Sequence, residues 1–589
     1  MQNETKPRVV DILAQAFVQE NVSTCFALLG DANMHWAARL SGQGCRMIYV
    51  RHEHCAVAAA MAYARKNRDV GVATVTCGPG VTQLITALPA AVRARLPLVV
   101  FAGEAPLKSG WYNQAIDQAP LITATGAAYH SLHLPARMPV AVRDAFLQAR
   151  RERRPVVIGV PFDLQALVWD GAATLPKPSH QILPRTSPMP PHPDDVAAAA
   201  QLVAGAERVV VLAGLGAVEA HAGAACRALA AHTGGLLSTT LPARGLFHDD
   251  PFCIGIAGSF TPEVGLELLL QADLVIAVGC SLAYHAGGGG QLWPKAKTLQ
   301  IDIDPVAVSQ GQEVARHHLQ ADARLGVEAL IAALTAAPAG TSAARPSAAS
   351  PAMPHAASPA ASNASAAFPA RHLLRRSDAI AARIRDTKPD NHVFEIEPGL
   401  LDPRRVVEAL EAHLPRDWEL VNSGGHCSWF FAQMPSRPQE QFLTIREFGA
   451  IGNGISFAMG VAAARPDRTV VLFDGDGSLM MHVQELETIK RHKLNILIVV
   501  MNDGAYGSEV HKMRAEGMTD EGSVFGYSDF AGIARGFGLP GHTFKTLDDL
   551  PRIVAEFAAS GGAAVWDFHV SDQVVSPSIR RAHPHPAKK

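Results

Sequence analysis

The chain has 589 residues, enough for three or four domains at roughly 150 residues each. Lys plus Arg number 52 against 54 Asp plus Glu, a formal charge of -2, which excludes a partner held by bulk charge such as nucleic acid or an acidic membrane surface. Hydrophobic residues make up 48% of the chain, yet Arg, Asp, Pro or Gly interrupts each apolar run before the roughly 18 to 20 residues that a bilayer span needs.

The opening stretch, MQNETKPRVVDILAQ, is polar and passes directly into an amphipathic pattern, without the charged, apolar, small-residue order of a secretory signal. A cytoplasmic protein is expected. Eight cysteines stand singly at 25, 45, 55, 77, 226, 253, 280 and 427 with no CxxC pair, the distribution of reduced thiols and not of disulfides or a zinc site. A helix is predicted over Val9 to Glu20. The runs VGVATVTCG, LPLVVFAGE and RPVVIGVP follow, each ending in Gly or Pro before a helical stretch, which is the alternation of a βαβ parallel sheet. Residues 1–185 are therefore read as one α/β domain, closed by the proline-rich LPKPSHQILPRTSPMPPHP.

Residues 190–335 repeat the pattern with RVVVLAGLG, LVIAVGCS and TLQIDIDP as strands. AGLGAVEA in this block supplies only Gly214 and Gly216 of a dinucleotide-binding GxGxxG, so a tight strand-to-helix turn is the preferred reading. Residues 336–370 are nearly all Ala, Pro and Ser, a composition that builds no core, and 336–395 is read as a linker plus a helix. From 396 to 589 the strands WELVNSGG, TVVLFDGDG, NILIVVMNDG and AAVWDFHV define a third domain. The fold class is α/β, with three doubly wound parallel sheets.

The third block carries the strongest chemical signal. GDGS at 475–478 and MNDG at 501–504 place Asp476 and Asn502 26 residues apart, separated by one amphipathic helix and one strand. Both then fall at the carboxyl ends of parallel strands, where open α/β sheets bind ligands. One carboxylate, one amide oxygen and a backbone carbonyl at Gly504 suit a hard Mg²⁺ that keeps its remaining positions for a diphosphate and water. Gly477 and Ser478 open the following helix with N–H groups suited to phosphate oxygens. Asp and Asn also cap helices and form turns, and either residue alone carries that plainer meaning.

GDG, about 26 residues, then Asn resembles the signature of thiamine diphosphate enzymes, and the chain looks like the acetolactate synthase and pyruvate decarboxylase group. RHEHCA at 51–56, CGPGVTQ at 77–83, GLFHDD, IDIDP, FGAIGNG at 448–454 and VSPSI extend the likeness over nearly the whole chain. The resemblance implies a pyrimidine-binding domain, a central domain and a diphosphate-binding domain, with thiamine diphosphate and Mg²⁺ as cofactors. It makes Glu53 the activating acid at the pyrimidine N1′, in apolar surroundings that raise a carboxyl pKa. It also assigns Gly449 as a carbonyl acceptor for the 4′-amino group, Ile451 as the wedge that bends the cofactor, and Gly424 and His426 as diphosphate-side contacts. The His52 and His54 pair is discounted as a metal site.

The implied activity is decarboxylation of a 2-oxo acid through an enamine intermediate, by an acetolactate synthase-like decarboxylase or carboligase, a transferase or a lyase. GDANMHW places Asp31, and Glu509 lies just beyond the metal loop, as proton-relay acids of a simple non-oxidative decarboxylase releasing an aldehyde. NQAIDQAP places Gln118 where the synthases carry a catalytic Phe-Gln-Glu. GEAP at 103–106 replaces the synthases' GQVP, and GCSLAYH lacks the Arg and Asp they place near FAD, so no FAD is expected. A catalytically silent nucleotide-binding relative is the alternative of another class. Glu53 and the metal loop lie in different domains that the family brings together from different subunits, so a homodimer or homotetramer with interfacial sites is expected.

Overall fold

The computed structural model of the chain describes residues 6–172, 174–304, 308–309, 312–336 and 376–584. Nearly all of the Ala/Pro/Ser-rich stretch lies outside the described residues. The chain divides into two compact units, one formed by Met1–Thr186 with Val393–Lys589 and the other by Ser187–His392.

The first unit holds two six-stranded, all-parallel sheets. In the first, β1 (Thr24–Ala27), β2 (Arg46–Tyr49), β3 (Gly71–Val75), β4 (Leu98–Glu104), β5 (Ala128–Ser131) and β6 (Pro155–Pro161) run in the order β2-β1-β3-β4-β6-β5. The second unit's sheet contains β7 (Val209–Ala213), β8 (Leu236–Thr239), β9 (Cys253–Ile256), β10 (Leu274–Val278) and β11 (Lys297–Asp302). After a short antiparallel pair, β12 (Val308–Ser309) and β13 (Gln312–Glu313), it is completed by β14 (His317–Gln320) in the parallel order β14-β11-β10-β7-β8-β9. The first unit's other sheet has β15 (Glu419–Asn422), β16 (Phe442–Leu443), β17 (Val470–Gly475), β18 (Ile496–Asn502), β19 (Gly541–Phe544) and β20 (Ala564–His569). Its order, β16-β15-β17-β18-β20-β19, repeats that of the first sheet strand for strand.

The central strands are apolar without alternation because helices cover both faces: β3, β7 and β18 are buried at every residue. Within the first unit the helices Glu53–Asn67 and Gly454–Ala464 pack closely, and a Cβ at Gly460 would collide with the Ala59 carbonyl and stand 2.8 Å from Ala62 Cβ. At the far end of this contact the Lys66 ammonium is taken out of water and donates to Glu419 Oε2 and to the Glu440 carbonyl, both at 2.6 Å.

In the second unit, the Gly216 amide donates to the Gly279 carbonyl at 2.9 Å, and a Cβ at Gly216 would stand 2.8 Å from Gly279 Cα. The turns after β7 and β10 thus pack directly on each other, the geometry of a tight strand-to-helix turn. The helix Asp378–Asp386, which the sequence places with the linker, docks on the central sheet's own unit: Ile380 and Ile384 pack beside Leu268 and Leu269, Arg383 pairs with Glu267, and Arg376 reaches Asp250 at 3.2 Å. Its apolar residues find a partner face there that local composition does not reveal. Among the described residues no helix is long and apolar enough to cross a membrane.

Candidate active site

In the order β16-β15-β17-β18-β20-β19 the chain changes direction between β15 and β17, leaving a crevice at their carboxyl ends. A cleft of about 400 Å³, open mouth included, lies there and is lined by Gly424, His426, Ile451, Asp476, Gly477, Ser478 and Glu509 together with their neighbours. Seven residues singled out by sequence thus converge from four loops. The pairing Gly475↔Met501 between β17 and β18 makes Asp476 and Asn502 neighbours just past the sheet edge.

The oxygens presented there lack partners. Asp476 Oδ2 and Asn502 Oδ1 are buried without a hydrogen bond, an arrangement that is costly unless a cation or donor answers them. Asn502 is held so that its oxygen faces the crevice, because Nδ2 donates to the Ser528 carbonyl at 2.9 Å and to Asp567 Oδ1 at 3.0 Å. Desolvation raises the Asp476 pKa. It raises that of Asp503 further, where the Asp476 charge adds to it. Asp503 was not singled out by sequence, since a residue between Asn502 and Gly504 reads as part of a turn. Two carboxyls and an oriented amide oxygen in one desolvated corner fit a small hard cation.

The Gly504 carbonyl accepts from the Phe525 and Gly526 amides, both at 2.9 Å, so its lone pairs are engaged within the loop in this structure. With φ of +69° its role here is to turn the chain after β18.

The loop 449–453 is clamped against the cleft. Gly449 takes φ of +75°. The Gly452 amide donates to Ser478 Oγ at 2.9 Å and the Gly452 carbonyl accepts from His482 Nδ1 at 2.9 Å. Ile451 stands between them, and its Cγ2 lies 3.1 Å from where a Cβ on Gly424 would sit, so the glycine gives the isoleucine its place in the cleft. His426 Nε2 accepts the Ser576 amide at 3.0 Å, which joins VSPSI to the cleft; desolvation holds its pKa well below the usual value and keeps the ring neutral.

Glu53, Asp31 and Gln118 lie in the other sheet's segment of this unit and are not among the residues lining the cleft. Glu53 is the first residue of its helix, half-buried, and burial raises its pKa against the opposing pull of its own backbone amide. Its neighbours are tied to the wedge loop of the same chain: His54 Nε2 donates to Asn453 Oδ1, and the His54 and His482 rings stack at 5.0 Å. Among the described residues no group of three His, Cys, Asp or Glu has metal-binding geometry. Asp31 is exposed and accepts from the Tyr112 hydroxyl at 3.4 Å. Glu509 is exposed and paired with Lys512 at 3.2 Å. Gln118 is buried with its amide fully engaged, by Gly78, Gly103 and Tyr129. His482, in the turn between the helices Asp476–Met480 and Glu485–Arg491, gives no signal in sequence, because a lone His carries none until its loop partner is in place.

Doubly wound sheets, a crevice at the strand ends and buried, unanswered oxygens beside glycine-rich turns define a fold and cleft suited to a phosphate-bearing cofactor. Three family models match: the thiamine pyrophosphate enzyme N-terminal TPP binding domain over residues 7–121, the central domain over 196–330, and the C-terminal TPP binding domain over 422–568. The chain belongs to the thiamine pyrophosphate enzyme family. It is 28% identical over 541 residues to the acetolactate synthase large subunit of Parasynechococcus marenigrum, covering 89% of this chain and 80% of the relative. It is 27% identical over 571 residues to acetolactate synthase isozyme 2 large subunit of Escherichia coli, covering 95% and 94%. It is likewise 28% identical over 563 residues to a probable 2-ketoarginine decarboxylase of Pseudomonas aeruginosa, covering 93% and 92%.

Proposed function

We propose that this thiamine diphosphate enzyme uses Mg²⁺ and acts on a 2-oxo acid as an acetolactate synthase-like decarboxylase or carboligase in the cytoplasm. The observation that carries this reading is the pair of buried, partnerless oxygens of Asp476 and Asn502 at the ends of adjacent strands, beside the cleft. Those two residues would hold the metal, with Gly504 contributing only if its carbonyl is released from Phe525 and Gly526. The amides of Gly477 and Ser478, the Gly424 turn and neutral His426 would bind the diphosphate.

When bound, the cofactor supplies an acidic carbon and an electron sink for the carboxyl-bearing carbon of the substrate. The chain's own residues do the rest. Ile451 would support the bound cofactor from the cleft wall, and the Gly449 carbonyl would accept its amino group. Glu53, whose pKa desolvation raises, would hydrogen-bond the pyrimidine N1′. Glu53 is absent from the cleft lining of its own chain, which supports a homodimer or homotetramer in which it serves the partner's cleft. The eight thiols all stand free, in keeping with a reducing compartment.

A second reading, a simple non-oxidative decarboxylase, is favoured by the exposure of both candidate proton donors: Asp31 beside Tyr112, and Glu509 on the cleft wall. The similarity to a probable 2-ketoarginine decarboxylase gives it a relative of that activity class. Incubating the protein with thiamine diphosphate, Mg²⁺ and a panel of 2-oxo acids, and analysing CO₂ and products, separates the readings. Aldehyde alone supports the second and an α-hydroxyketone product the first. No CO₂ from any acid, with no thermal shift on adding cofactor and Mg²⁺, rejects both and returns the silent relative.

A further inference from the structure

We propose that Glu104 is a positioning residue which, acting through Tyr129 and Gln118, holds the turn at Cys77–Gly80 in the conformation that packs on Glu53. The inference rests on Glu53 being the acid of the proposed site.

Glu104 closes β4, Tyr129 lies in β5, and Gln118 begins the helix Gln118–Ala124. An ionised carboxylate only accepts hydrogen bonds, and Glu104 receives three: from the Tyr129 hydroxyl at 2.5 Å, from the Ser131 hydroxyl at 2.5 Å and from His133 Nε2 at 2.9 Å. Tyr129 has one hydroxyl hydrogen. With that hydrogen on Glu104, its oxygen must accept from Gln118 Nε2, which lies 2.9 Å away, while the second Nε2 hydrogen goes to the Gly103 carbonyl at 3.1 Å. The Gly103 carbonyl and the Gly78 amide, which donates to Oε1 at 2.8 Å, set the amide orientation of Gln118, and the Tyr129 oxygen completes its partners. On β6 only a glycine leaves room for this contact, since a Cβ at Gly159 would collide with both the Tyr129 hydroxyl and the Glu104 carboxylate.

The far end of the relay reaches the acid. Gly78 takes φ of +57°, a conformation that the bond from Gln118 helps hold, and two residues on a Cβ at Gly80 would stand 3.5 Å from Glu53 Oε1. Gln118 has no amide hydrogen left for a substrate and acts through this turn. A glutamine at 104 could donate to Tyr129 as well as accept from it. The hydroxyl could then reverse, and its hydrogen would face the Gln118 NH₂, donor against donor, pressing on the amide that receives the Gly78 N–H. The charge on Glu104 gives the relay its direction.

The test compares Glu104→Gln, Tyr129→Phe and Glu104→Asp in the full chain. Hydrogen exchange over residues 76–84 is read without cofactor, and kcat/KM against pH is read with thiamine diphosphate and Mg²⁺. Glu104→Gln and Tyr129→Phe should speed exchange in that peptide about tenfold, leave β7–β11 unchanged, shift the acid limb of the pH profile and lower kcat more than they raise KM. Glu104→Asp, which keeps the acceptor-only carboxylate, should recover part of each effect. Unchanged exchange at 76–84 overturns the relay, and faster exchange with an unmoved pH profile overturns its action on Glu53. If Glu104→Gln does not fold, Tyr129→Phe, which keeps the ring, decides. A wild-type chain that binds no thiamine diphosphate sinks the reading of the site, and the exchange experiment still decides the relay.

Discussion

At Glu53, folding and catalysis ask for opposite things. Desolvation raises its pKa, so the native state binds that proton more tightly than the unfolded chain does. The contribution to stability is complete below the ordinary carboxyl value and is lost as pH rises through the raised one. Glu53→Gln removes the penalty. The cofactor-free variant should melt no lower than wild type at pH 8 while turnover falls about 10²-fold or more. A clearly lower melting temperature at pH 8 would show that the carboxylate makes a stabilising contact instead. Asp476 follows the same logic beside Asp503, and Asp476→Asn should stabilise the cofactor-free protein at pH 8 while weakening Mg²⁺-dependent cofactor binding at least tenfold, about 1.4 kcal/mol. Calorimetric titration checks the second half; undiminished affinity would remove Asp476 from the metal site. Asp476 and Asn502 were legible in sequence because one helix and one strand separate them and parallel pairing then aligns their ends. Gln118 was legible as a position, but the engagement of its amide was not, since Gly78, Gly103 and Tyr129 reach it from three other segments.

Among the elements, the helices Glu53–Asn67 and Gly454–Ala464 join the two sheets of the first unit, and their closeness depends on one missing side chain. With the Ala59 carbonyl and Ala62 Cβ against Gly460, Gly460→Val should cost about 1–3 kcal/mol, read as a lower urea midpoint; an unchanged midpoint would mean the helices can part freely. The amino end of the first of these helices carries His52 and His54, the His482 ring stacks on His54, and burial lowers the pKa of all three, that of His54 to about 4. A base with a depressed native pKa contributes stability that is present above the unfolded value near 6.5 and is lost as pH falls through the native one. Stability should therefore decline between about pH 6.5 and 4 by up to about 1.4 kcal/mol per pH unit from His54, and His54→Asn should flatten the decline. Denaturant titrations at pH 7, 6 and 5 give the slope; the same slope in the variant would clear His54 of the effect. The sheets themselves were readable from apolar runs ending in Gly or Pro, because strands covered on both faces do not alternate. The docking of the helix Asp378–Asp386 was not readable, since its partner face around Leu268 is built from residues more than a hundred positions earlier.

For the whole molecule, the two halves of the proposed site stand apart within one chain. Asp476 lines the cleft at the end of β17, whereas Glu53 does not reach that lining and is bound through its neighbour His54 to Asn453 of its own chain. Apolar side chains remain exposed on both sides of the proposed chemistry, with Trp111 at 79% and Leu29 at 44% on the first sheet's loops, and Met481 and Phe525 each at 49% near the cleft. Such surfaces are what a second copy would cover. If each cleft is completed by the partner's Glu53, Glu53→Gln and Asp476→Ala chains are both inactive as pure species for different reasons. A dimer of one of each has one cleft with both residues intact and one with neither. Refolding an equal mixture produces such dimers in half of the population, with one working site in two, so activity should return to about a quarter of wild type. Were Glu53 and Asp476 to serve the same chain's cofactor, every site in the mixture would lack one of them and mixing would restore nothing. Activity measured against mixing ratio, with sedimentation to establish the assembly, therefore decides whether the catalytic unit is one chain or two.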